Sequence, residues 1–449
     1  MVTKAGKADS RLAARLQACT EGDPEYWSFR CNAVRDHSHG LFQYPAMMVP
    51  QMQDRLIGEI AAVDPEIRCV YDPFVGSGTV LTEAMLRGLD FRGCDVNPLA
   101  VLVSRVKAGP FYAEALRTRW QAITRRAEKD QRRDVDCGYS GWKKWFRLGV
   151  AVRLTRLARA IRSEVTLWSR RFFWVVLAET VRLTSNSRTS TFKLHVRPTD
   201  EIALRNVDPL DVFGSIAERN LARICRNAEL LAAAGRLRSG HYDGDVEVEW
   251  RDSANEHPRD LPTRADLLVT SPPYGDNVTT VPYGQHAFLP LQWIDLEDID
   301  PSIDSGLLMN THAIDTRSLG GSRVSALDEV RGACQRSPSL RKLMKGLQTE
   351  PRDRAVRVAA FWRDMDRCLV AILNRLRENA YMVWVVGERR VGNRAVPMHR
   401  ILAELVQSRG GVRVALLERR IPSKRMAVRN DISQTMRRER VLIMRKGAS

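Results

Sequence analysis

A short apolar segment that runs directly into a glycine-rich turn is the feature that most constrains the fold of this chain. Residues 68–72 read as a buried β-strand, and the turn sequence Asp-Pro-Phe-Val-Gly-Ser-Gly-Thr follows at 72–79. The pattern then predicts a helix over 80–87 and a second strand over 91–94, which ends at Asp95. Strand, glycine turn, helix and strand in this order are typical of a doubly wound sheet. We therefore expect an α/β fold.

The sheet pattern is interrupted and then resumes. Residues 110–239 read as basic helical sequence. Strand-like runs return at 246–250, 265–270, 381–386, 412–418 and 440–444. A helix over 398–408 separates two of the later runs, and a looser stretch spans about 284–353. The pattern predicts one α/β sheet that carries a large basic helical insertion and a second, looser one.

The distribution of charge favours a polyanionic partner. The 449 residues include 71 Lys and Arg against 53 Asp and Glu, a formal net charge of +18, and residues 110–197 account for +13 of it. The same stretch interleaves basic and aromatic side chains, which suits phosphates and unstacked bases. A helical bundle with an aromatic core and a solvated arginine face is compatible with the pattern. We expect the tryptophans to lie mostly in the core and the arginines to face phosphates.

Composition excludes several classes of protein. With 44% hydrophobic and 28% charged residues, the chain is neither fibrous nor wholly disordered. No apolar run approaches the roughly 18 residues that a membrane-spanning helix needs. The eight cysteines are scattered without a Cys-x-x-Cys pair, so we expect neither a metal site nor a disulfide framework. Nothing in residues 1–10 marks secretion, and a reducing cytoplasm is expected.

The glycine turn taken alone is compatible with several ligands. Glycines at 76 and 78 let the backbone approach a ligand, and the helix start that follows favours a polar group. The turn could bind NAD, FAD, ATP or S-adenosylmethionine. Its sequence matches neither the Walker loop nor the dinucleotide-binding fingerprint. Asp95 suits a ribose diol, although residues 95–98 taken alone are better explained as a helix start.

A second and more specific motif follows the strand at 265–270. That strand leads directly into Ser271-Pro272-Pro273-Tyr274. The prolines stiffen the loop and remove two backbone donors, which leaves the Ser271 hydroxyl and the Pro272 carbonyl as acceptors for an exocyclic amine. Tyr274 offers a flat face on which a base can stack. A linker motif for a small recognition domain would need an exposed polar setting, and here an apolar strand precedes the prolines.

Together the two motifs resemble those of the amino-group DNA methyltransferases, which methylate N4 of cytosine or N6 of adenine. The resemblance rests on residues 72–79 and 271–274, and the stretch 44–50 is similar to the family's segment before the cofactor strand. It covers about 44–107 and 246–445 and leaves the basic insertion outside. In this family Ser-Pro-Pro-Tyr is more typical of cytosine-N4 enzymes, and Asp-Pro-Pro-Tyr of adenine-N6 enzymes.

The resemblance implies a Rossmann-like, S-adenosylmethionine-dependent methyltransferase that flips a base, most typically cytosine, out of double-stranded DNA. It implies catalytic roles for Ser271, Pro272, Pro273 and Tyr274. It implies cofactor contacts from Tyr44, Pro45, Asp72, Phe74, Gly76, Ser77, Gly78, Thr79, Asp95, Asn97 and Asp252. Among these, Asp72 would meet the methionine amino group, Asp95 the ribose hydroxyls and Asp252 the adenine amine. From the charge pattern we expect DNA contacts from Lys143, Lys144, Arg147, Arg188 and Lys193.

These expectations divide the chain into four segments. An N-terminal helical segment with a cofactor-covering loop spans 1–66, and the first part of the methyltransferase core spans 67–109. The basic insertion expected to recognise DNA spans 110–239, and the second part of the core spans 240–449. A cognate restriction or defence-system protein is a candidate partner, a membrane is not, and the expected location is cytoplasmic and nucleoid-associated.

Four other functions stay open at this point. An adenine-N6 enzyme would use the same sheet and motif order. An RNA amine methyltransferase usually carries an RNA-binding domain before the cofactor motif. A protein-glutamine methyltransferase would favour an Asn-Pro-Pro-Tyr loop without a basic domain. A catalytically inactive DNA-binding relative would not need the intact glycines and catalytic loop.

Overall fold

The computed structural model describes residues 4–29, 36–255, 264–276, 280–421 and 438–447. Within these ranges seven strands form one sheet in the order β10-β11-β7-β6-β1-β2-β5. Its strands are β1 Cys69–Asp72, β2 Asp90–Asp95, β5 Val246–Trp250, β6 Ala265–Thr270, β7 Leu376–Gly387, β10 Val412–Arg420 and β11 Arg438–Arg445. Two small antiparallel ribbons pair β3 Leu237–Arg238 with β4 His241–Tyr242, and β8 Arg389–Val391 with β9 Arg394–Val396.

The sheet is mostly parallel, as the sequence predicted. Strands β5, β2, β1, β6 and β7 run in one direction, and β11 runs antiparallel between β7 and β10. The predicted strands are confirmed, but β7 begins at Leu376 and not at residue 381. The polar residues Arg377, Glu378 and Asn379 occupy that first part of the strand. Because these residues are polar, a search for apolar runs does not detect the start of this strand.

Helices cover both faces of the sheet. In the first part of the chain they are α1 Lys4–Ala18, α2 Pro50–Ala61, α3 Thr79–Leu86 and α4 Pro98–Lys107. Between β2 and β3 they are α5 Ala113–Lys129, α6 Trp142–Trp145, α7 Leu148–Arg162, α8 Leu167–Thr184, α9 Thr199–Leu204 and α10 Pro209–Ala233. The remaining helices are α11 Tyr283–Leu291, α12 Leu296–Ile299, α13 Ala313–Arg317, α14 Ala326–Glu329, α15 Arg331–Arg336, α16 Pro338–Gly346, α17 Arg352–Arg375 and α18 Met398–Gln407. Short 3-10 helices occupy Tyr26–Ser28, His37–Gly40, Ser305–Leu308 and Leu347–Thr349.

Alternation along the strands divides the interior into two apolar cores. Successive side chains of a strand point to opposite faces of a sheet. In β7, Val383 and Val385 accordingly belong to one core, and Met382 and Trp384 belong to the other. The first core also holds side chains of α2, α3, α4, α5, α7, α8, α10 and α11, whereas the second holds those of α14 to α18. No helix in the part of the chain that the structure describes is long and apolar enough to span a bilayer.

The helices between β2 and β3 share the first core with the sheet. Buried side chains of α8, including Phe172, Phe173 and Trp174, belong to the same apolar cluster as Leu99 and Val103 of α4. The predicted boundary at residue 110 therefore does not interrupt the apolar core. The later stretch at 284–353 is divided between the faces, since α11 packs into the first core and α14 to α16 pack into the second.

The expectation that the tryptophans between 110 and 197 lie mostly in the core is confirmed, whereas the expectation that the arginines face phosphates stays a prediction. Trp145 and Trp174 are buried, and Trp120, Trp142 and Trp168 pack partly buried against the core. Most arginines of this stretch form ion pairs with carboxylates of the chain itself. The paired residues include Arg119 and Arg126 with Glu164, Arg153 with Asp208, Arg159 with Asp130, Asp134 and Asp136, and Arg170 with Asp298. Net charge counts cations without showing which acidic side chains fold back onto them.

Candidate active site

A pocket opens where the carboxyl ends of β1 and β6 lie side by side. The chain passes from β1 to β2 and β5 on one side and returns to β6 on the other. Open α/β sheets bind their ligands at such a reversal of strand order. The pocket encloses about 810 Å³, space open to solvent included. Residues singled out from the sequence that line it are Tyr44, Pro45, Phe74, Gly76, Ser77, Thr79, Asp95, Asn97, Asp252, Ser271 and Pro273.

Asp72 lies beneath the pocket and links the two motifs. The Thr270 hydroxyl, at the end of β6, donates to Asp72 Oδ1 over 2.6 Å, and the Phe74 amide donates to the same oxygen over 3.0 Å. Among the described residues Asp72 Oδ2 is buried without a hydrogen-bond partner. Burial raises the pKa of Asp72 to about 7, although the Thr270 and Phe74 hydrogen bonds oppose the shift. An unsatisfied buried carboxylate oxygen costs stability unless a donor reaches it.

The glycine turn approaches the pocket in backbone conformations that only glycine adopts easily. Gly76 and Gly78 have φ angles of +51° and +70°. A Cβ at Gly78 would lie 2.8 Å from the Ser104 hydroxyl, so a larger residue there would also be crowded. The turn thereby brings the start of α3 to the pocket without side chains in the way.

Asp95 and Asn97 hold the next wall of the pocket. Asp95 Oδ2 accepts the Gly76 amide over 2.8 Å, and its Oδ1 accepts the Asn97 amide over 2.9 Å. Burial raises the pKa of Asp95 to about 6, against these backbone hydrogen bonds. Asn97 caps α4 through the Leu99 amide and donates its own amide to the Tyr44 hydroxyl over 3.0 Å. A carboxylate has about four acceptor positions, so the backbone amides that Asp95 accepts leave it capacity for a ligand hydroxyl.

Tyr44 covers the pocket together with a residue that sequence reasoning missed. The rings of Tyr44 and Tyr283 stack with centroids 5.8 Å apart and planes inclined by 27°. Tyr283 begins α11, and the amide of its neighbour Gly284 donates to Asp315 Oδ1 over 2.8 Å. Further lining residues, for which the sequence analysis named no contact, are Ala46, Met47, Met48, Pro73, Val75, Val96, Ser253, Ile314, Arg317, Ser318 and Leu319. Residues 314–319 carry no motif, and only the fold brings them here.

The catalytic motif lies partly outside the pocket. Ser271 and Pro273 line it, whereas Asp72, Gly78, Pro272 and Tyr274 do not. The Ser271 hydroxyl donates to the Tyr274 oxygen over 3.3 Å, and the Tyr274 hydroxyl donates to Glu439 Oε1 over 2.9 Å. Tyr274 is thus held toward β11, on the β7 side of β6 and away from the glycine turn.

A buried ion pair holds the segment after the motif. Arg389 of β8 donates to Asp276 Oδ2 over 2.8 Å, and Asp276 is only 2% exposed. Gly275 has a φ of +151°, and a Cβ there would fall 1.2 Å from Arg389 Nη1. The Arg389 side chain therefore packs against Gly275, where a larger residue would not fit. The catalytic loop is thus held at Tyr274 by Glu439 and after Tyr274 by Arg389.

The predicted DNA contacts lie apart from the pocket, in two places. Lys143 and Lys144 lie over the rings of Trp142 and Trp145, with nitrogen-to-centroid distances of 6.0 and 5.0 Å. Arg147 donates to the Arg205 carbonyl over 2.9 Å. None of these three cations forms an ion pair with a carboxylate in the described part of the chain.

Arg188 and Lys193 lie on the second of these surfaces, in the loop between α8 and α9. They line a small groove with Arg182, Phe192 and His286. Arg188 also lies 3.4 Å from Glu201. The Phe192 ring contacts the His286 ring edge-on with centroids 5.4 Å apart, and His286 in turn packs against Tyr44. Through these rings the loop touches the cover of the pocket.

One buried polar group lies away from both surfaces. Donor atoms of His37, His39 and Glu83 lie within 4.8 Å of one another and form the group of potential metal ligands found in the described ranges. His39 Nε2 is 2.7 Å from Glu83 Oε1. Burial, and after it the Lys107 ammonium, lowers the pKa of His39. Burial also lowers the pKa of Lys107 to about 7 and raises the pKa of Glu83 to about 8, so the neutral forms of these groups are favoured.

The fold and pocket define an α/β protein with a ligand site at the reversal of strand order, and comparison with known proteins adds to this description. The chain is 29% identical over 439 residues to Type II methyltransferase M.MvaI of Kocuria varians, covering 94% of this chain and 92% of that protein. It is 30% identical over 81 residues to Type II methyltransferase M.MjaII of Methanocaldococcus jannaschii, covering 18% of this chain and 15% of that protein. No family model matches the chain, and no solved structure matches it. The near full-length similarity supports a DNA methyltransferase.

Proposed function

We propose that this protein methylates the exocyclic amine of a flipped base in double-stranded DNA, with S-adenosylmethionine as donor and N4 of cytosine as target. One observation carries the proposal. The Thr270 hydroxyl, one residue before Ser271, donates to Asp72 over 2.6 Å, so the cofactor motif and the catalytic motif meet at adjoining strand ends. A donor site and an acceptor site that share this edge can present a methyl group to an amine.

The described residues fit the donor at three points. Asp72 Oδ2 is a buried acceptor to which no described residue donates, which suits a cationic amino group. Asp95 lines the pocket with acceptor capacity left for a ribose diol, and Asp252 lies at the same wall for an adenine amine. The Gly76 backbone leaves room beside Tyr44, whose ring would lie 3.6 Å from a Cβ at that position. Bound there, S-adenosylmethionine supplies an electrophilic methyl group on a sulfonium.

The catalytic loop would hold the target amine. The Ser271 hydroxyl and the Pro272 carbonyl are acceptors that would orient the two N–H bonds and draw the nitrogen lone pair out of conjugation with the ring. Tyr274 would stack on the base, which returns about 1–3 kcal/mol of the cost of extruding it. Extrusion itself costs a few kcal/mol. Contacts of the protein with the duplex would supply the remainder.

The duplex would lie across the basic helical segment and the loop at 187–194. Lys143, Lys144 and Arg147 lack ion pairs with described carboxylates, so they stay available to phosphates. Arg188 and Lys193 would approach the duplex nearer the pocket. A cognate restriction or defence-system protein and association with the nucleoid fit this activity and belong to the same proposal.

Transfer of a radioactive methyl group from S-adenosylmethionine to different acceptors tests the class of substrate. Purified protein is incubated with duplex DNA, with tRNA and with no acceptor, and Ser271→Ala serves as the matched variant. We expect incorporation into duplex DNA alone, reduced at least tenfold by the substitution. Incorporation into tRNA with none into DNA would replace the proposal with the RNA amine methyltransferase, and incorporation into neither would leave a binding protein.

A further inference from the structure

Four side chains on three segments form one continuous chain of polar contacts behind the catalytic loop. Ser271 Oγ donates to Tyr274 Oη over 3.3 Å, and Tyr274 Oη donates to Glu439 Oε1 over 2.9 Å. The other carboxylate oxygen, Glu439 Oε2, accepts from Arg419 Nε over 2.6 Å. Arg419 and Glu439 are paired residues on the neighbouring strands β10 and β11, so the sheet itself fixes the end of the chain.

Burial makes this end of the chain rigid. The Arg419 side chain is 6% exposed and the Glu439 side chain 14% exposed. An ion pair shielded to this degree is screened little by salt, and each partner restrains the other. Glu439 also lies opposite Gly387, the last residue of β7, at the edge of the sheet where the catalytic loop emerges.

The charge of Glu439 determines the direction of every hydrogen bond in the chain. An ionised carboxylate accepts and cannot donate. The Tyr274 hydrogen must therefore point to Glu439, which leaves the Tyr274 oxygen to accept from Ser271. The Ser271 hydroxyl hydrogen then donates to Tyr274. The lone pairs of Ser271 Oγ remain, and they can only accept a hydrogen bond. An acceptor is what an exocyclic amine requires.

We propose that Glu439, fixed by Arg419, is a positioning residue that commits Ser271 to accept a hydrogen bond from the target amine and aligns Tyr274 beside it. This inference rests on the proposed function. The hydroxyl of a tyrosine lies on the axis about which its ring rotates, so holding Oη fixes the direction of that axis. Without Glu439 the Ser271 hydrogen is free to point at the amine, where it opposes binding.

Two substitutions separate this role from a general contribution to folding. Tyr274→Phe keeps the ring and the Arg419–Glu439 pair but removes the hydroxyl from the chain. Glu439→Ala removes the acceptor and leaves Arg419 without its partner. We expect each to lower kcat about tenfold, the value of one hydrogen bond to a charged group, with KM for DNA and the Kd for S-adenosylmethionine within twofold of the parent protein.

The double variant provides the decisive comparison. Because Glu439 acts through the Tyr274 hydroxyl, Tyr274→Phe with Glu439→Ala should lower kcat no further than Tyr274→Phe alone. Glu439→Gln retains an acceptor oxygen and should restore part of the activity. Glu418→Ala is the matched control, since Glu418 pairs with Arg438 and Arg440 on the same strands without touching the loop. Independent, multiplying decreases in the double variant, or full activity of Tyr274→Phe, would overturn the proposal.

Crystal structures of the parent protein and Glu439→Ala supply a readout that does not depend on activity. We expect Tyr274 Oη to move away from its position over β11 in the variant while the Arg389–Asp276 pair is retained. An unmoved Tyr274 would overturn the positioning role. If the parent protein transferred no methyl group to nucleic acid, the proposed function would fail, yet these structures would still decide whether Glu439 positions Tyr274.

Discussion

Asp72 is the single residue on which the donor site depends most. Burial raises the pKa of this carboxyl to about 7, so the free protein holds a mixture of acid and carboxylate near neutral pH. A cationic amino group binds only the carboxylate. Affinity for S-adenosylmethionine should therefore increase as pH rises through about 7, up to tenfold per pH unit below that value. Calorimetric titration between pH 6.5 and about 7.5 measures it, above the pKa of about 6 to which burial raises Asp95 and below the pKa of about 7.7–8.0 that is usual for an α-amino group.

The isosteric variant Asp72→Asn tests the assignment of that titration. We expect its affinity for the donor to be at least tenfold weaker and independent of pH in the same range. A group whose pKa is raised by folding destabilises the folded state as pH rises from its unfolded pKa toward its folded pKa. Asp72→Asn cannot ionise, so without S-adenosylmethionine it should be at least as resistant to heat as the parent protein at pH 8. A pH dependence unchanged in Asp72→Asn would assign the titration to another group.

Gly275 offers a second test at the scale of one residue. A Cβ there would fall 1.2 Å from Arg389 Nη1, and the φ of +151° is unfavourable for other residues. Gly275→Ala should therefore displace the Arg389–Asp276 pair and the catalytic loop, and lower kcat at least tenfold with donor affinity within threefold. Gly149→Ala is the control, since nothing lies within 4 Å of a Cβ at that position. Parent-like kcat in Gly275→Ala would show that this contact does not hold the loop.

At the scale of elements, the sequence predicted the sheet well because its signals are local. An apolar run bounded by turn residues identified β1, β2, β5 and β6 within one or two residues, and each site motif directly follows one of these strands. The start of β7 was missed because Arg377 and Glu378 interrupt its apolar pattern. The helical insertion was predicted as helical, but its charge pattern could not show that most of its arginines pair with acidic side chains of the same chain.

Those ion pairs sharpen the prediction for DNA binding. Lys143, Lys144 and Arg147 lack described carboxylate partners, so each can release counterions on meeting a phosphate. The triple substitution to alanine should reduce the slope of log affinity against log salt by about 0.9 for each phosphate that is no longer neutralised. Arg153→Ala is the control because Arg153 is paired with Asp208. Fluorescence anisotropy with labelled duplex across a salt series measures the slopes. If the triple variant had the slope and affinity of the parent protein, the DNA-binding surface would lie elsewhere on the molecule.

At the scale of the whole molecule, the site depends on contacts that no local pattern contains. Tyr274 and Glu439 are 165 residues apart, and Thr270 and Asp72 are 198 apart. Tyr283, which stacks on Tyr44, begins a helix without a recognisable motif. The sequence could name the residues at each strand end, because parallel strands end at one edge of a sheet. It could not show which of those residues touch, since strand order and loop packing decide that.

The most direct test of the central claim is the chemical identity of the methylated nucleoside. Duplex DNA is methylated by the purified protein, digested to nucleosides and analysed by mass spectrometry against standards, with Ser271→Ala as the matched control. We expect N4-methylcytosine, absent from the control reaction. N6-methyladenine in its place would contradict the choice of cytosine while retaining the amine site. 5-Methylcytosine would contradict the proposed function, because methyl transfer to carbon 5 requires a protein nucleophile and not an amine held by acceptors.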